Sequence, residues 1–190
     1  MRSESPDDAT LLARIAKHDT QALEQLFMRH HAGMHRYAVM TSHDTMAADD
    51  ALQETFVAVW KHASDFRGTT SARGWLYTIA RNAVRRQFRK RAGKEQVVSL
   101  ETLGAEAGWG DIAANDRVAA AIEDRERVHK ALATLSEDDR EVISVVDVEA
   151  LSLEEAATAL DLGLAALKSR LHRARLRFVA ALAKEEDHAR

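Results

Sequence analysis

Apolar residues recur at steps of three and four along both ends of this chain, and that period leaves α-helices as the building unit. Leu11, Leu12 and Ile15 are followed by Ala22, Leu23, Leu26 and Phe27, then by Met34, Tyr37 and Ala38. After a break near Thr41 to Thr45, Leu52, Phe56, Val59, Trp60 and Ala63 form another stripe. The chain has one proline, so few points inside these stretches would break a helix. Glycine marks the interruption: Gly93, Gly104, Gly108 and Gly110 are four of the eight, and none stands between Gly110 and Gly163. The expected architecture is all-α: two small helical domains, residues 1–92 and 128–190, joined by a flexible acidic linker over residues 93–127.

Net charge points away from nucleic acid until its distribution is read. The 27 Lys and Arg against 30 Asp and Glu give −3, yet the segment from Arg67 to Lys94 holds nine basic residues and no acid. From Lys168 to Arg177 five basic residues again stand without an acid, whereas Glu137 to Glu155 carries eight acids against one arginine. Phosphate binding depends on local charge, so two basic surfaces separated by acidic material suggest two contacts with one polyanion. Solvated helix faces are the simpler alternative. With no cysteine, a disulfide framework, a thiolate nucleophile and sulfur-ligated zinc are excluded. No apolar run reaches the roughly 20 residues that cross a bilayer, and MRSESPDDATLL is unlike a secretory signal, so a cytoplasmic protein without membrane insertion is expected.

Three stretches carry candidate functional residues. Asp49, Asp50, Gln53 and Glu54 lie off the core stripe near the start of their helix, where acids also oppose the helix dipole. A loop with Arg67, Gly68 and three hydroxyl residues precedes a helix from about Arg73 to Arg91, with Leu76, Ile79, Ala80 and Ala83 on its core face. Trp75, Asn82, Arg85, Arg86 and Arg89 follow along a neighbouring face, where an indole can stack on an unpaired base and guanidiniums hold phosphates. Trp75 as an ordinary core residue is equally compatible with this spacing. In the C-terminal part, Ser152 and Glu155 form a capping box, Asp161-Leu162-Gly163 a turn, and Leu164 to about Ala183 a second helix. Its buried stripe is Leu164, Leu167, Leu171, Ala174, Phe178 and Ala181, while Lys168, Ser169, Arg170, His172, Arg173 and Arg175 supply polar groups. This is a helix-turn-helix arrangement, whose second helix enters the major groove. Ser136 and Asp139 cap a further helix, Asp138 to Val148, that packs behind the pair.

These stretches, AADDALQETFVAVWKHASDFRG, GWLYTIARNAVRRQFRKR and LSLEEAATALDLGLAALKSRLHRARLRF, together resemble the extracytoplasmic-function sigma factors, two-domain subunits of bacterial RNA polymerase. The resemblance covers nearly the whole chain. It implies that residues 1–92 are the region-two domain and 128–190 the region-four domain. It also implies that Asp50, Gln53 and Glu54 dock on the coiled coil of the polymerase's largest subunit, whose core presents a flap to region four. Phe66, Arg67 and the loop to Ala72 would capture a flipped base of the minus-ten element. Trp75 and Asn82 would contact the melted strand, with Arg85, Arg86 and Arg89 on its backbone. Lys168 to Arg175 would read the minus-thirty-five element, and the linker would thread the polymerase's nucleic-acid channel. An anti-sigma factor, often membrane-bound, is a further implied partner; no catalytic residue and no cofactor is implied.

The chain departs from the family pattern at Gly74 and Ala166, where threonine is usual, at Ser136, near a common proline, and at Asp161, in place of the turn glycine. Two other classes fit parts of the sequence. One is a dimeric helix-turn-helix repressor or activator with a helical sensing domain. The other is a metal-binding protein, since His31 and His35 stand four apart with His30 adjacent among nine histidines. Two such ligands do not make a site, and no metal is expected. No Gly-rich phosphate loop or nucleophile motif supports an enzyme.

Overall fold

The computed structural model describes residues 6–92 and 126–188, and all of their regular structure is helical. The first half contains α1 (Asp8–Ile15), α2 (Thr20–Ser42), α3 (Thr45–His62), a 3₁₀ turn (Ala63–Asp65) and α4 (Ala72–Ala92). The second begins with α5, whose described part is residues 126–133. It continues with α6 (Glu137–Ile143), a π turn (Ser144–Val148), α7 (Leu153–Leu160) and α8 (Leu164–His188). The acidic connector expected over 93–127 lies, except for its last two residues, outside the described residues.

Short polar side chains start these helices by accepting otherwise unbonded first-turn amides. Asp7 caps α1, Asp19 α2, Asp44 α3 and Ser136 α6, each bonding the amide three residues ahead. Ser152 and Glu155 make the reciprocal capping box of α7. Asp44 corrects the placement of the acids on α3. The helix begins at Thr45, so Asp49 and Asp50 fall beyond its first turn and their simple dipole role is lost.

The apolar stripes meet as the period requires. Leu11, Leu12, Ile15, Leu26, Tyr37, Val59 and Leu76 are fully buried in the first half, and Val142, Ala156, Leu167 and Ala174 in the second. These residues form one continuous core, with α7 laid along α4 and α6 reaching α2. Leu164 departs from its expected stripe: it opens α8 at the surface, 37% exposed. The helix expected over Asp138 to Val148 also changes character halfway. From Ser144 onward its backbone widens into a π turn, closed by Glu149 N donating to Ser144 O at 2.9 Å. Ala150 then takes a left-handed φ of 51°.

Candidate nucleic-acid and protein-docking surfaces

An apolar groove runs along the outer side of α2 and α3. Leu23, Phe27, Leu52, Phe56 and Trp60 line it, with Asp49 and Gln53 on its rim. Phe27 meets Phe56 edge-on at 4.9 Å and stacks on His31, yet remains 37% exposed. Asp50 and Gln53 are exposed beside this groove on α3. Glu54 is turned inward instead. Its carboxylate forms an ion pair with Arg86, 3.0 Å from Nε, and accepts a hydrogen bond from Gln87 Nε2 at 3.1 Å, tying α3 to α4.

On α4 the expected row of basic residues divides. Asn82 and Arg89 face solvent, whereas Arg86 is held by Glu54 and Arg85 by acids of α6. Arg85 donates to Glu141 at 3.1 and 3.3 Å and lies within 4 Å of Glu137 and Asp138. Trp75 is half-buried, packed on the core and tilted against Phe66 at 5.6 Å, so its ring is only partly available for stacking. The intervening loop exposes Arg67, Thr69 and Thr70 around Gly68. Gly68 has φ 70°, a conformation that a side chain disfavours. Ser71 closes the loop by donating to Glu155 of α7 at 2.7 Å.

The helix-turn-helix forms as the spacing predicts. Asp161 adopts φ 53° at the end of α7, filling the left-handed position that glycine would occupy without strain. Leu167, Leu171 and Ala174 anchor α8 in the core, which leaves Lys168, Ser169, His172 and Arg173 exposed. Arg170 and Arg175 are drawn aside. Arg170 pairs with Asp138 at 3.1 Å, and Arg175 Nε donates to Asp147 at 3.0 Å.

Sequence reasoning missed the polar groups that join the two halves. Glu149 is 5% exposed and its carboxylate accepts Arg36 through two bonds, at 3.0 and 3.1 Å, and the Tyr77 hydroxyl at 3.1 Å. Glu141, 1% exposed, accepts Arg81 Nε as well as Arg85. Burial, then the Glu149 charge beside it, pushes the Tyr77 hydroxyl well above its ordinary pKa. His43 meets Arg140 across the same boundary, and its pKa is lowered to about 4 by burial, then by Arg140 and His129. Gly33 and Gly74 carried a faint signal, being glycines inside helical patterns. Their role depends on which helix packs against them.

The histidine group does not converge. His30 bonds Asp8 at 2.8 Å, His31 lies on Phe27, and His35 bonds Asp49 at 3.0 Å. No group of three or more metal-ligating side chains occurs among the described residues. No helix among them is long and apolar enough to cross a membrane.

Comparison with known proteins gives the same two-part division. Residues 26–94 match Sigma-70 region 2 and residues 125–178 match Sigma-70, region 4. The chain is 34% identical over 175 residues to the ECF RNA polymerase sigma factor SigM of Mycobacterium tuberculosis, covering 92% of this chain and 84% of that protein. It is 32% identical over 190 residues to RNA polymerase sigma factor CnrH of Cupriavidus metallidurans, covering 96% of this chain and 99% of the relative. Among solved structures, CnrH in complex with the cytosolic domain of CnrY superposes with a TM-score of 0.70 at 28% identity, covering 93% of this chain and 97% of that one. The sigma factor RpoE with the anti-sigma factor NepR from Bartonella quintana gives 0.64 at 27% identity, over 84% and 96%.

Proposed function

Because the chain belongs to the extracytoplasmic-function sigma factors of the sigma-70 family, we propose that it docks on core RNA polymerase in the cytoplasm, places two basic helices on two promoter elements, and stabilises the opened strand. In this reading residues 1–92 dock on the polymerase and engage the minus-ten element, 93–127 connect the domains, and 128–190 read the minus-thirty-five element. The observation that carries it is α8. Its apolar side is locked into the core while Lys168, Ser169, His172 and Arg173 stand in solvent, as a groove-reading helix requires.

The groove beside Asp50 and Gln53 supports polymerase docking, since exposed aromatic surface with a polar rim suits a helical partner. The loop at Arg67 to Thr70 and the Phe66 and Trp75 rings support capture of unstacked bases. Stacking contributes about 1–3 kcal/mol per base, enough to offset a few kcal/mol of unpairing. No step needs a catalytic group. The solved relatives in complex with CnrY and NepR support control of this chain by an anti-sigma protein as well.

The test is binding of the full chain to bacterial core RNA polymerase, beside an Asp50→Ala, Gln53→Ala double variant. Glu54 is left intact because it holds Arg86 and Gln87. Tight binding that the double variant loses supports the reading. Absence of binding, with a stable dimer that shifts duplex DNA, identifies an ordinary helix-turn-helix regulator.

A further inference from the structure

Arg36, Arg81 and Arg85 of the first half each meet a carboxylate of the second. Arg140 of α6 crosses the same boundary in the other direction and finds a histidine instead. Its Nη1 meets the His43 ring and reaches the Ala133 carbonyl oxygen only at 3.4 Å, while its Nε is buried with no hydrogen-bond partner. A guanidinium does not shed its charge at ordinary pH, so one that is half-buried without an acid is held at a cost that an anion relieves.

Two imidazoles stand beside it. His43 comes from the left-handed end of α2, and His129 of α5 is near enough for its charge to act on His43. His129 lies one helical turn before Ala133, whose carbonyl oxygen faces Arg140, so α2, α5 and α6 bring three cation-capable side chains to one place. The acids close by are directed elsewhere: Asp44, next to His43, accepts the Ala47 amide of α3, and Glu137 lies 3.8 Å from Arg85. A planar carboxylate would fill the guanidinium fork alone. A tetrahedral oxyanion keeps further oxygens for imidazole donors on other elements.

We propose that the junction of α2, α5 and α6 binds a small tetrahedral oxyanion, a phosphate or sulfate group, held between His43 and Arg140 with His129 beside it. The proposal does not depend on the sigma-factor reading. The half-buried position of His43 and Arg140 suits a free ion or a terminal phosphoryl group and not a nucleic-acid backbone. Binding carries a proton with it. His43 must be neutral to accept from Arg140, and it must be protonated to donate to an anion lodged between the two. In the chain alone its pKa is about 4, lowered by burial first and then by Arg140 and His129. In mildly acidic solution the ring is therefore neutral before binding and charged after it, so each unit fall in pH tightens binding by up to about tenfold.

The experiment is calorimetric titration of the full chain with sodium sulfate at about pH 6.5 and about pH 5.5, with sodium chloride at matched ionic strength as the control. Sulfate stays a dianion over this range, so any proton taken up belongs to the protein. Buffers of different ionisation enthalpy count that proton. Saturable binding of one sulfate is expected, with uptake approaching one proton and an affinity about tenfold higher at the lower pH. Chloride should not reproduce it, and the ring resonances of His43 should move to those of an imidazolium as sulfate is added. Arg140→Gln and His43→Asn should each weaken binding at least about tenfold and abolish the proton uptake. Lys17→Gln, at an exposed cation away from the junction, should change neither. Far-UV circular dichroism checks that helix content is kept, and His43→Asn remains the decisive variant if Arg140→Gln does not fold. Inorganic phosphate and glycerol phosphate compete against sulfate at the lower pH: stronger competition by the first assigns the free ion, by the second a phosphoryl group on a small metabolite. Absence of saturable sulfate binding overturns the proposal, as does binding that takes up no proton and survives both variants.

Discussion

His43 ends α2 in a left-handed conformation, φ 52°, and contributes its ring to Arg140 of the second half. The contact needs a neutral imidazole, since a protonated one would place two cations together. Its folded pKa of about 4 lies below the ordinary 6.5, with burial first and the charges of Arg140 and His129 next as causes. Between those values the unfolded chain binds more protons than the folded one, so stability is fully present above about pH 6.5 and falls as the pH drops toward 4. Denaturant unfolding at a series of pH values should therefore show a steeper loss over this window in the parent than in His43→Asn, which tolerates the same backbone. Equal slopes would place the titration elsewhere. Ala150 offers a second test. Its φ of 51° is costly for a side chain, so Ala150→Gly should raise stability by up to about 1 kcal/mol in the same measurement. Neither backbone state was legible in the sequence, because nothing about a histidine or an alanine announces positive φ.

At the scale of elements, the helix starts were the most legible feature. Ser152 and Glu155 stood at capping-box spacing, and the structure forms both bonds, Glu155 N to Ser152 Oγ at 3.2 Å and Ser152 N to Glu155 Oε2 at 2.9 Å. Ser152→Ala should cost about 1 kcal/mol in global stability, read from the denaturation midpoint. Glu155 also receives Ser71 of the first half, so Glu155→Ala should cost more than Ser152→Ala, and the difference should vanish in Ser71→Ala. The element that escaped the sequence is the π turn. The apolar residues before and within it, Val142, Ile143, Val145 and Val146, suit an ordinary helix equally well, so the period along the chain carries no mark of the widening at Ser144. On α4 the spacing correctly separated the core face from a basic face. It could not say that Arg85 and Arg86 would be neutralised by acids far away in the chain.

For the whole molecule, the contact between the halves carries buried carboxylates beside the shared apolar core. Glu141 and Glu149 are buried with every carboxylate oxygen engaged, and removing one member of a buried pair typically costs about 3–5 kcal/mol because it strands the other. Arg81, with a side chain 12% exposed, would be stranded by Glu141→Gln. Opening of the halves relieves that cost by returning Arg81 to water. Glu141→Gln should thus enlarge the hydrodynamic radius and divide thermal unfolding into two steps, with native helix content unchanged. One cooperative transition at a uniformly lower midpoint would show that the halves do not separate.

The sequence by itself determined the helices, their caps, the two-part division and the helix-turn-helix, because these depend on apolar period and on side chains within three or four residues of one another. It also brought out the family, since three blocks in order are a local record. Tertiary structure decided which charges are free. Glu141, Glu149, Gly33 and Gly74 acquire meaning only from residues far away in the chain, as between Arg36 and Glu149, 113 positions apart. Pairing at that separation depends on how two amphipathic surfaces pack, and no periodicity along the chain encodes it.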